Sequence, residues 1–210
     1  MPNFRLYYFD VRGRGELIRL IFAYAGVPFD DFRFREIDGV SQWFHEYKAK
    51  MPFGKAPVLE VDGEMLAQST AIARYLARKF GIAGKNEWDM ALADMYIECL
   101  ADFIVAYSPL YYESDAGKLK ALEKKFLEET VCPYLEKIEN RLEKNGSGFL
   151  VGPELTYADL AHFNYLDFLN GRFPEEKLLD GKLHINALLE RVGSIESVKN
   201  YVASHMKHKV

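Results

Sequence analysis

Met51-Pro52-Phe53-Gly54-Lys55-Ala56-Pro57-Val58-Leu59-Glu60-Val61-Asp62-Gly63-Glu64-Met65-Leu66-Ala67-Gln68-Ser69-Thr70 is the stretch whose reading decides the fold. Val58, Leu59 and Val61 predict a short strand. Asp62-Gly63 predicts a two-residue hairpin turn, because both positions tolerate positive φ, and Met65-Leu66 begin the return strand. Ser69 then reads as a helix N-cap, with Ile72, Tyr75, Leu76 and Phe80 at helical spacing behind it. A helix start presents unpaired N–H groups and the positive end of a dipole, which suits a carboxylate or a phosphate. Pro57 cannot donate to a ladder, so the Ala56 backbone beside it is open to strand addition by an extended peptide. Together these features describe a pocket for a short acidic peptide.

Toward the N-terminus, Phe4 to Phe9 reads as a strand with Leu6 and Tyr8 on one face and Arg5, Tyr7 and Phe9 on the other. Asp10-Val11-Arg12-Gly13-Arg14-Gly15-Glu16 reads as a turn. The helix after it is expected to bury Leu17, Leu20, Ile21, Tyr24 and Ala25 and to stop at Gly26 and Pro28. Phe32 and Phe34 alternate with charged residues, which predicts a second strand parallel to the first. Residues 41–50 read as a short helix or a loop. The order β-α-β, irregular segment, β-β-α predicts a thioredoxin-like domain with a mixed four-stranded sheet over residues 1–80.

Gly81-Ile82-Ala83-Gly84-Lys85-Asn86 is the expected linker, and residues 87–210 are expected to form an all-helical domain. Leu92, Met95, Tyr96, Cys99, Leu100, Phe103, Ile104 and Tyr107 keep the rhythm of one long helix. Leu119, Leu122, Phe126, Leu135, Ile138 and Leu142 mark a second, kinked near Pro133. Thr156-Tyr157-Ala158-Asp159 opens a further helix with Thr156 as cap and Asp159 closing a capping box, a pattern that serves folding. Two short helices, near 183–192 and 194–204, end the chain.

At 210 residues the chain is long enough for a substantial core, and its 49% apolar and 28% charged content is that of an ordinary soluble protein. A net charge of −4 argues against nucleic acid or an anionic membrane as the main partner. The N-terminus carries no long apolar run, so no signal peptide is expected, and no segment is apolar enough to span a membrane. Cys99 and Cys132 are too few for a disulfide framework or a zinc site, and no Cys-x-x-Cys pair is present. His45, His162, His184, His205 and His208 show no metal-ligand spacing. A cytoplasmic location follows as the expectation.

The run from Pro52 to Leu59, the acidic-Gly turn and Gln68-Ser69 before a helix resemble the glutathione-binding half of the cytosolic glutathione transferases. Tyr8-Phe9, then Arg12-Gly13-Arg14-Gly15-Glu16, resembles most closely the sigma class, to which glutathione-dependent prostaglandin D synthases are related. The resemblance implies a detoxifying homodimer that joins the glutathione thiolate to small hydrophobic electrophiles, with glutathione as co-substrate and no metal. It implies that Pro57 follows a cis bond, that Tyr8 donates a hydrogen bond to the sulfur, and that the charge of Arg14 lowers the thiol pKa further. A surface arginine, or one paired with Glu16, is the other reading of Arg14.

For glutathione the resemblance carries Gln68 and Ser69 onto the γ-glutamyl carboxylate and Ala56 with Pro57 onto the cysteinyl part. Trp43 and Lys48 match the glycyl end, with Phe44 as the rival for the tryptophan's place and a solvated helix face as the plain reading of Trp43. Asp102 matches an aspartate that reaches the γ-glutamyl amine across a dimer interface; an exposed helix charge is its plain reading. The electrophile would meet Phe9, Ile104, Tyr107 and the C-terminal tail at Val210, all of which also read as core. Two neighbouring activities stay open, prostaglandin-H D-isomerase and peroxidase. A non-enzymatic carrier of haem or another hydrophobic ligand is the rival from a different class.

Overall fold

The computed structural model describes residues 2–206. The chain runs β1 (Phe4–Phe9), α1 (Glu16–Ala25), β2 (Asp30–Phe34), β3 (Glu36–Ile37), β4 (Val40–Ser41), β5 (Val58–Val61), β6 (Glu64–Ala67) and α2 (Ser69–Lys79). The main sheet has the order β2-β1-β5-β6, with β1 and β2 parallel and the other two pairings antiparallel. This is the mixed four-stranded, thioredoxin-like sheet that the element order predicts. Asp62 and Gly63 turn the β5-β6 hairpin with φ of 51° and 93°, the two positive values that such a turn requires.

Alternation along β1 sends side chains to two cores. Phe4 packs edge-on against Phe22 of α1 and against Phe80, at 5.2 and 6.3 Å between ring centres. Tyr7 joins Phe34, Trp43, Met51 and Val58 on the opposite face. The segment 43–50 is a widened helical turn, Trp43–Tyr47, followed by a tight one, Lys48–Lys50, and is preceded by the two-residue strands β3 and β4. Helix α1 buries a wider band than its apolar stripe predicts. Ile18, Leu20, Ile21 and Phe22 are covered together with Glu16 and Arg19, whereas Leu17, Tyr24 and Ala25 are half-buried. The helix is covered on two flanks, by α2 and by the C-terminal helix α8, so one stripe does not describe it.

The second part comprises α3 (Glu87–Tyr112), α4 (Ala116–Phe126), α5 (Cys132–Asn145), α6 (Tyr157–Arg172) and α7 (Leu183–Gly193), and α8 (Glu196–Tyr201) follows. The kink expected near Pro133 is a widened helical turn at Leu127–Val131, after which Pro133 occupies the first turn of α5. Helix α3 carries Pro109 near its C-terminal end, and Met95, expected on its buried stripe, is exposed. The buried stripe of α3 keeps the expected Tyr96, Leu100 and Phe103 and adds Ala93, Ile97 and Leu110.

By internal contacts the described residues divide into 2–82 with 193–206, and 83–192. The returning C-terminal segment corrects the sequence expectation, which assigned all of 87–210 to the helical domain. The physical reason is that α8 packs on α1, and the Tyr201 hydroxyl donates to Glu16 Oε1 at 2.8 Å. Val210 and His208 lie outside the described residues.

Candidate functional site

The β-ladder gathers the site. Tyr7 on β1 faces Val58 on β5, and Val58 faces Ala67 on β6. One residue further toward the same end of each strand stand Tyr8, Pro57 and Gln68. With neighbouring strands roughly 4.8 Å apart, these three belong to one row about 10 Å long. The Ala56–Pro57 bond that joins this row is cis.

Tyr8 is buried at the end of β1, and its hydroxyl accepts a hydrogen bond from the backbone N–H of Arg14 at 2.9 Å. Two glycines make that approach possible. A Cβ at Gly13 would stand 2.6 Å from the Tyr8 oxygen, and one at Gly15 would stand 2.5 Å from ring carbon Cδ1. Gly13 also has φ of 39°, which a side chain disfavours. Tyr7, its neighbour, is committed elsewhere: its hydroxyl donates to Glu60 Oε2 at 2.9 Å. Burial, with Glu60 adding to it and Arg5 opposing, raises the Tyr7 phenol pKa above its ordinary value.

Arg14 itself is exposed. Its alternative role as a partner of Glu16 is not what forms, since Glu16 is buried and paired with Arg19 at 3.0 Å. Gln68, rather than Ser69, occupies the N-cap position of α2, with φ 75° and ψ 115°, and makes no side-chain capping bond. Ser69 is therefore the first helical residue, and the strained exit from β6 displaces the cap by one position. Trp43 is buried against Phe9 and Phe34, at 5.4 and 4.9 Å between ring centres, so the solvated-face reading of Trp43 is wrong. Phe44 is the exposed one of the pair, with the Lys48 ammonium 5.3 Å from its ring centre. Phe9 is half-buried within the same aromatic group.

The remaining expected residues belong to the helical unit. Asp102 is exposed on α3 beside a groove of about 870 Å³, which is also lined by Trp88, Tyr96, Cys99, Lys137 and Arg141. Ile104 is half-buried. The Tyr107 ring packs edge-on against Phe126 and Phe168, at 5.7 and 5.3 Å. Burial, reinforced by Asp102, raises the Cys99 thiol pKa, the opposite of what a nucleophilic cysteine needs. Among the described residues no group of three or more His, Cys, Asp or Glu is placed to hold a metal ion, and no helix is long and apolar enough to cross a membrane.

Residues 4–78 match the glutathione S-transferase N-terminal domain and residues 101–205 its C-terminal domain. The chain belongs to the glutathione S-transferase family. It is similar to a Nu-class glutathione S-transferase from Haemonchus contortus, at 38% identity with all of both chains covered and a TM-score of 0.89. It also resembles a monomeric glutathione S-transferase from the hookworm Necator americanus, at 37% identity over 99% of this chain and all of that one, TM-score 0.87. A prostaglandin synthase D of Nilaparvata lugens aligns at 37% identity over 97% and 98% of the two chains, with a TM-score of 0.85.

As a glutathione S-transferase the protein is an enzyme with glutathione as its co-substrate. The row of Tyr8, Pro57 and Gln68 lies within the part that matches the N-terminal domain. Its helical half contains the capping box of Thr156 and Asp159, which is fully formed and buried: Asp159 accepts from Leu150 N at 2.8 Å, Thr156 N at 2.7 Å and Thr156 Oγ1 at 3.0 Å. The sequence reading missed the buried Glu16–Arg19 pair beside Tyr8. Its signal was a charge at 19 inside the apolar run Leu17-Ile18-Arg19-Leu20-Ile21-Phe22, with an acid three residues before it.

Proposed function

We propose that this transferase activates glutathione through the Tyr8 hydroxyl, which donates a hydrogen bond to the tripeptide's sulfur and favours the thiolate. A free thiol with pKa near 8.5 is mostly protonated at neutral pH, and each unit of depression requires about 1.4 kcal/mol of preferential stabilisation of the anion. A hydrogen bond to a charged acceptor supplies about 1.5–3 kcal/mol. The observation that carries the reading is the 2.9 Å bond from the Arg14 N–H to the Tyr8 oxygen, because a phenol that accepts such a bond is fixed in place and becomes a better donor. The Arg14 side chain adds its positive charge near the sulfur.

The tripeptide then lies along the row at the sheet's end. Its cysteinyl backbone pairs beside Ala56 and Pro57, and its γ-glutamyl carboxylate meets the start of α2 at Gln68 and Ser69. Its glycyl end meets Lys48 with Trp43 or Phe44; the exposure of Phe44 beside Lys48 favours Phe44. Ile104 and Tyr107 contribute apolar surface to the electrophile. The sulfur forms a bond to the electrophilic carbon, and with an aryl halide the halide departs with the bonding pair; the thiol proton has already passed to solvent. The enzyme acts in the cytoplasm as a sigma-like detoxifying homodimer, with Asp102 facing the γ-glutamyl amine bound by the partner. Sedimentation at micromolar concentration tests this, and a single 24 kDa species would refute the dimer.

Tyr8→Phe tests the chemistry. Conjugation of a chloronitrobenzene at pH 7 is expected to fall roughly 10- to 100-fold, the size of one charge-assisted hydrogen bond, with glutathione affinity within about twofold. Unchanged turnover would remove Tyr8 from the mechanism. The likeness to a prostaglandin synthase favours a second reading, isomerisation of a prostaglandin endoperoxide by the same thiolate. A panel containing an aryl halide, an alkenal, a hydroperoxide and a prostaglandin endoperoxide decides between them.

A further inference from the structure

We propose that Arg19 is a positioning residue that acts through Tyr8, and that Tyr201 of the C-terminal helix holds Arg19 in place. The inference rests on the reading of Tyr8 as the group that favours the thiolate. Arg19 is 1% exposed on a helix that, apart from Glu16, is otherwise buried through apolar side chains. Placing a guanidinium there costs several kcal/mol of hydration, and an apolar residue of similar volume would often serve stability as well.

The bonds it makes are directed at the end of β1 and the turn after it. Nη2 donates to the Phe9 carbonyl at 3.2 Å and Nη1 to the Val11 carbonyl at 2.8 Å. These carbonyls bracket Asp10, where the chain leaves the strand, and the same turn carries the Arg14 N–H that bonds the Tyr8 hydroxyl. The Arg19 carbon Cζ also stands 5.7 Å from the centre of the Tyr8 ring, within the range at which a cation is attracted to an aromatic face. One side chain therefore fixes the turn and places a positive charge against the ring.

Two acids hold the guanidinium. Glu16 Oε2 accepts from Nη1 at 3.0 Å, and both oxygens of Asp31 on β2 accept from Nε at 3.1 Å. Asp31 also accepts from Arg33, which reaches Asp10 at 2.7 Å, so the strand end is tied to β2 a second time. The other Glu16 oxygen is filled by the Tyr201 hydroxyl from α8. Burial, then the charge of Glu16, raises the Tyr201 phenol pKa, so this group stays a donor. The charged and titratable groups around Tyr8 and Arg19 are thus Glu16 on α1, Asp31 and Arg33 on β2, Tyr201 on α8, and Asp10, Arg12 and Arg14 in the turn. Lysine at position 19 would keep a charge but could not span both carbonyls and both acids.

The test titrates the thiolate absorbance of glutathione-saturated enzyme in the wild type, Arg19→Lys, Tyr201→Phe and Tyr8→Phe. The midpoint is expected to rise by about one unit in Arg19→Lys and by a few tenths in Tyr201→Phe, with glutathione affinity within about threefold. A merely structural role would lower activity or melting temperature and leave both midpoints at the wild-type value, which overturns the proposal. Should Arg19→Lys fail to fold, Tyr201→Phe decides alone, since it deletes a single hydroxyl. A shift in Arg19→Lys without one in Tyr201→Phe overturns the part given to Tyr201. A shift from Arg19→Lys that persists undiminished on the Tyr8→Phe background overturns the route through Tyr8. An unshifted midpoint in Tyr8→Phe itself brings down the thiolate reading, whereas a shift there and in neither other variant brings down only the role of Arg19.

Discussion

Two helix starts in this molecule are built in opposite ways. At α6 the chain closes its own end: Thr156 caps, Asp159 reaches back, and Asp159 also takes the Leu150 N–H, all out of contact with water. At α2 the cap position is Gln68, held at φ 75° and ψ 115°, with no capping bond from its side chain and with an exposed surface. A helix that satisfies its first-turn donors internally spends them on stability. One that leaves them uncapped, behind a strained residue, keeps them for a ligand. On the function proposed above, the contrast separates residues that hold the fold from those offered to glutathione.

Breaking the closed start has the largest expected effect. Asp159→Ala strands three buried donors, and a loss of about 4 kcal/mol is expected, or about 10 °C in melting temperature for a chain of this size. Glutathione affinity of the folded fraction, measured by calorimetry, is expected not to change. Weaker binding at unchanged stability would erase the distinction between the two starts.

Acid titration probes the same helix. Burial lowers the His162 pKa from 6.5 to about 4, and burial raises that of Asp159 from 3.8 to about 6 against the bonds from Leu150 and Thr156. His162, depressed in the folded state, contributes stability present above pH 6.5 and lost as pH falls toward 4. Asp159, raised, contributes stability present below pH 3.8 and lost as pH rises through 6. The two therefore oppose each other across one window. His162→Gln removes one of them, so relative to wild type the variant is expected to gain up to about 3 kcal/mol between pH 6.5 and 4. A difference between the two denaturation curves that stays constant with pH would rule this out.

At the open start the effects are smaller and move to binding. Ser69→Ala is expected to weaken glutathione about tenfold, close to 1.4 kcal/mol, with stability within about 0.5 kcal/mol of wild type. Gln68→Gly relaxes the strained φ and is expected to raise stability by about 1 kcal/mol while weakening glutathione several-fold. If that variant gains stability and binds as tightly as before, the strain at Gln68 has no bearing on the ligand.

The features legible in the sequence were local ones. The Asp62-Gly63 turn, the period-two faces of β1 and the Thr156-x-x-Asp159 box are each fixed by neighbours a few residues apart, and each forms as read. The choice of Tyr8 over Tyr7 also rests on alternation, and the bond from Tyr7 to Glu60 gives that choice a partner in the structure. What could not be read depends on residues far apart in the chain. Arg19 is buried because Asp31 and Tyr201 meet there, Trp43 because Phe9 and Phe34 close over it, and α8 leaves the helical segment because α1 offers it a surface. Gln68 displaced Ser69 from the cap because the exit from β6 sets its backbone, which helix propensity does not record.

The return of α8 to α1 has a consequence for synthesis. A nascent chain emerging N-terminus first presents β1 through α2 long before the segment that completes their packing. Glu16 and Arg19 therefore wait for the Tyr201 hydroxyl, which is made 185 residues after Glu16. The packing around α1 is complete only once that distant segment has folded back onto it.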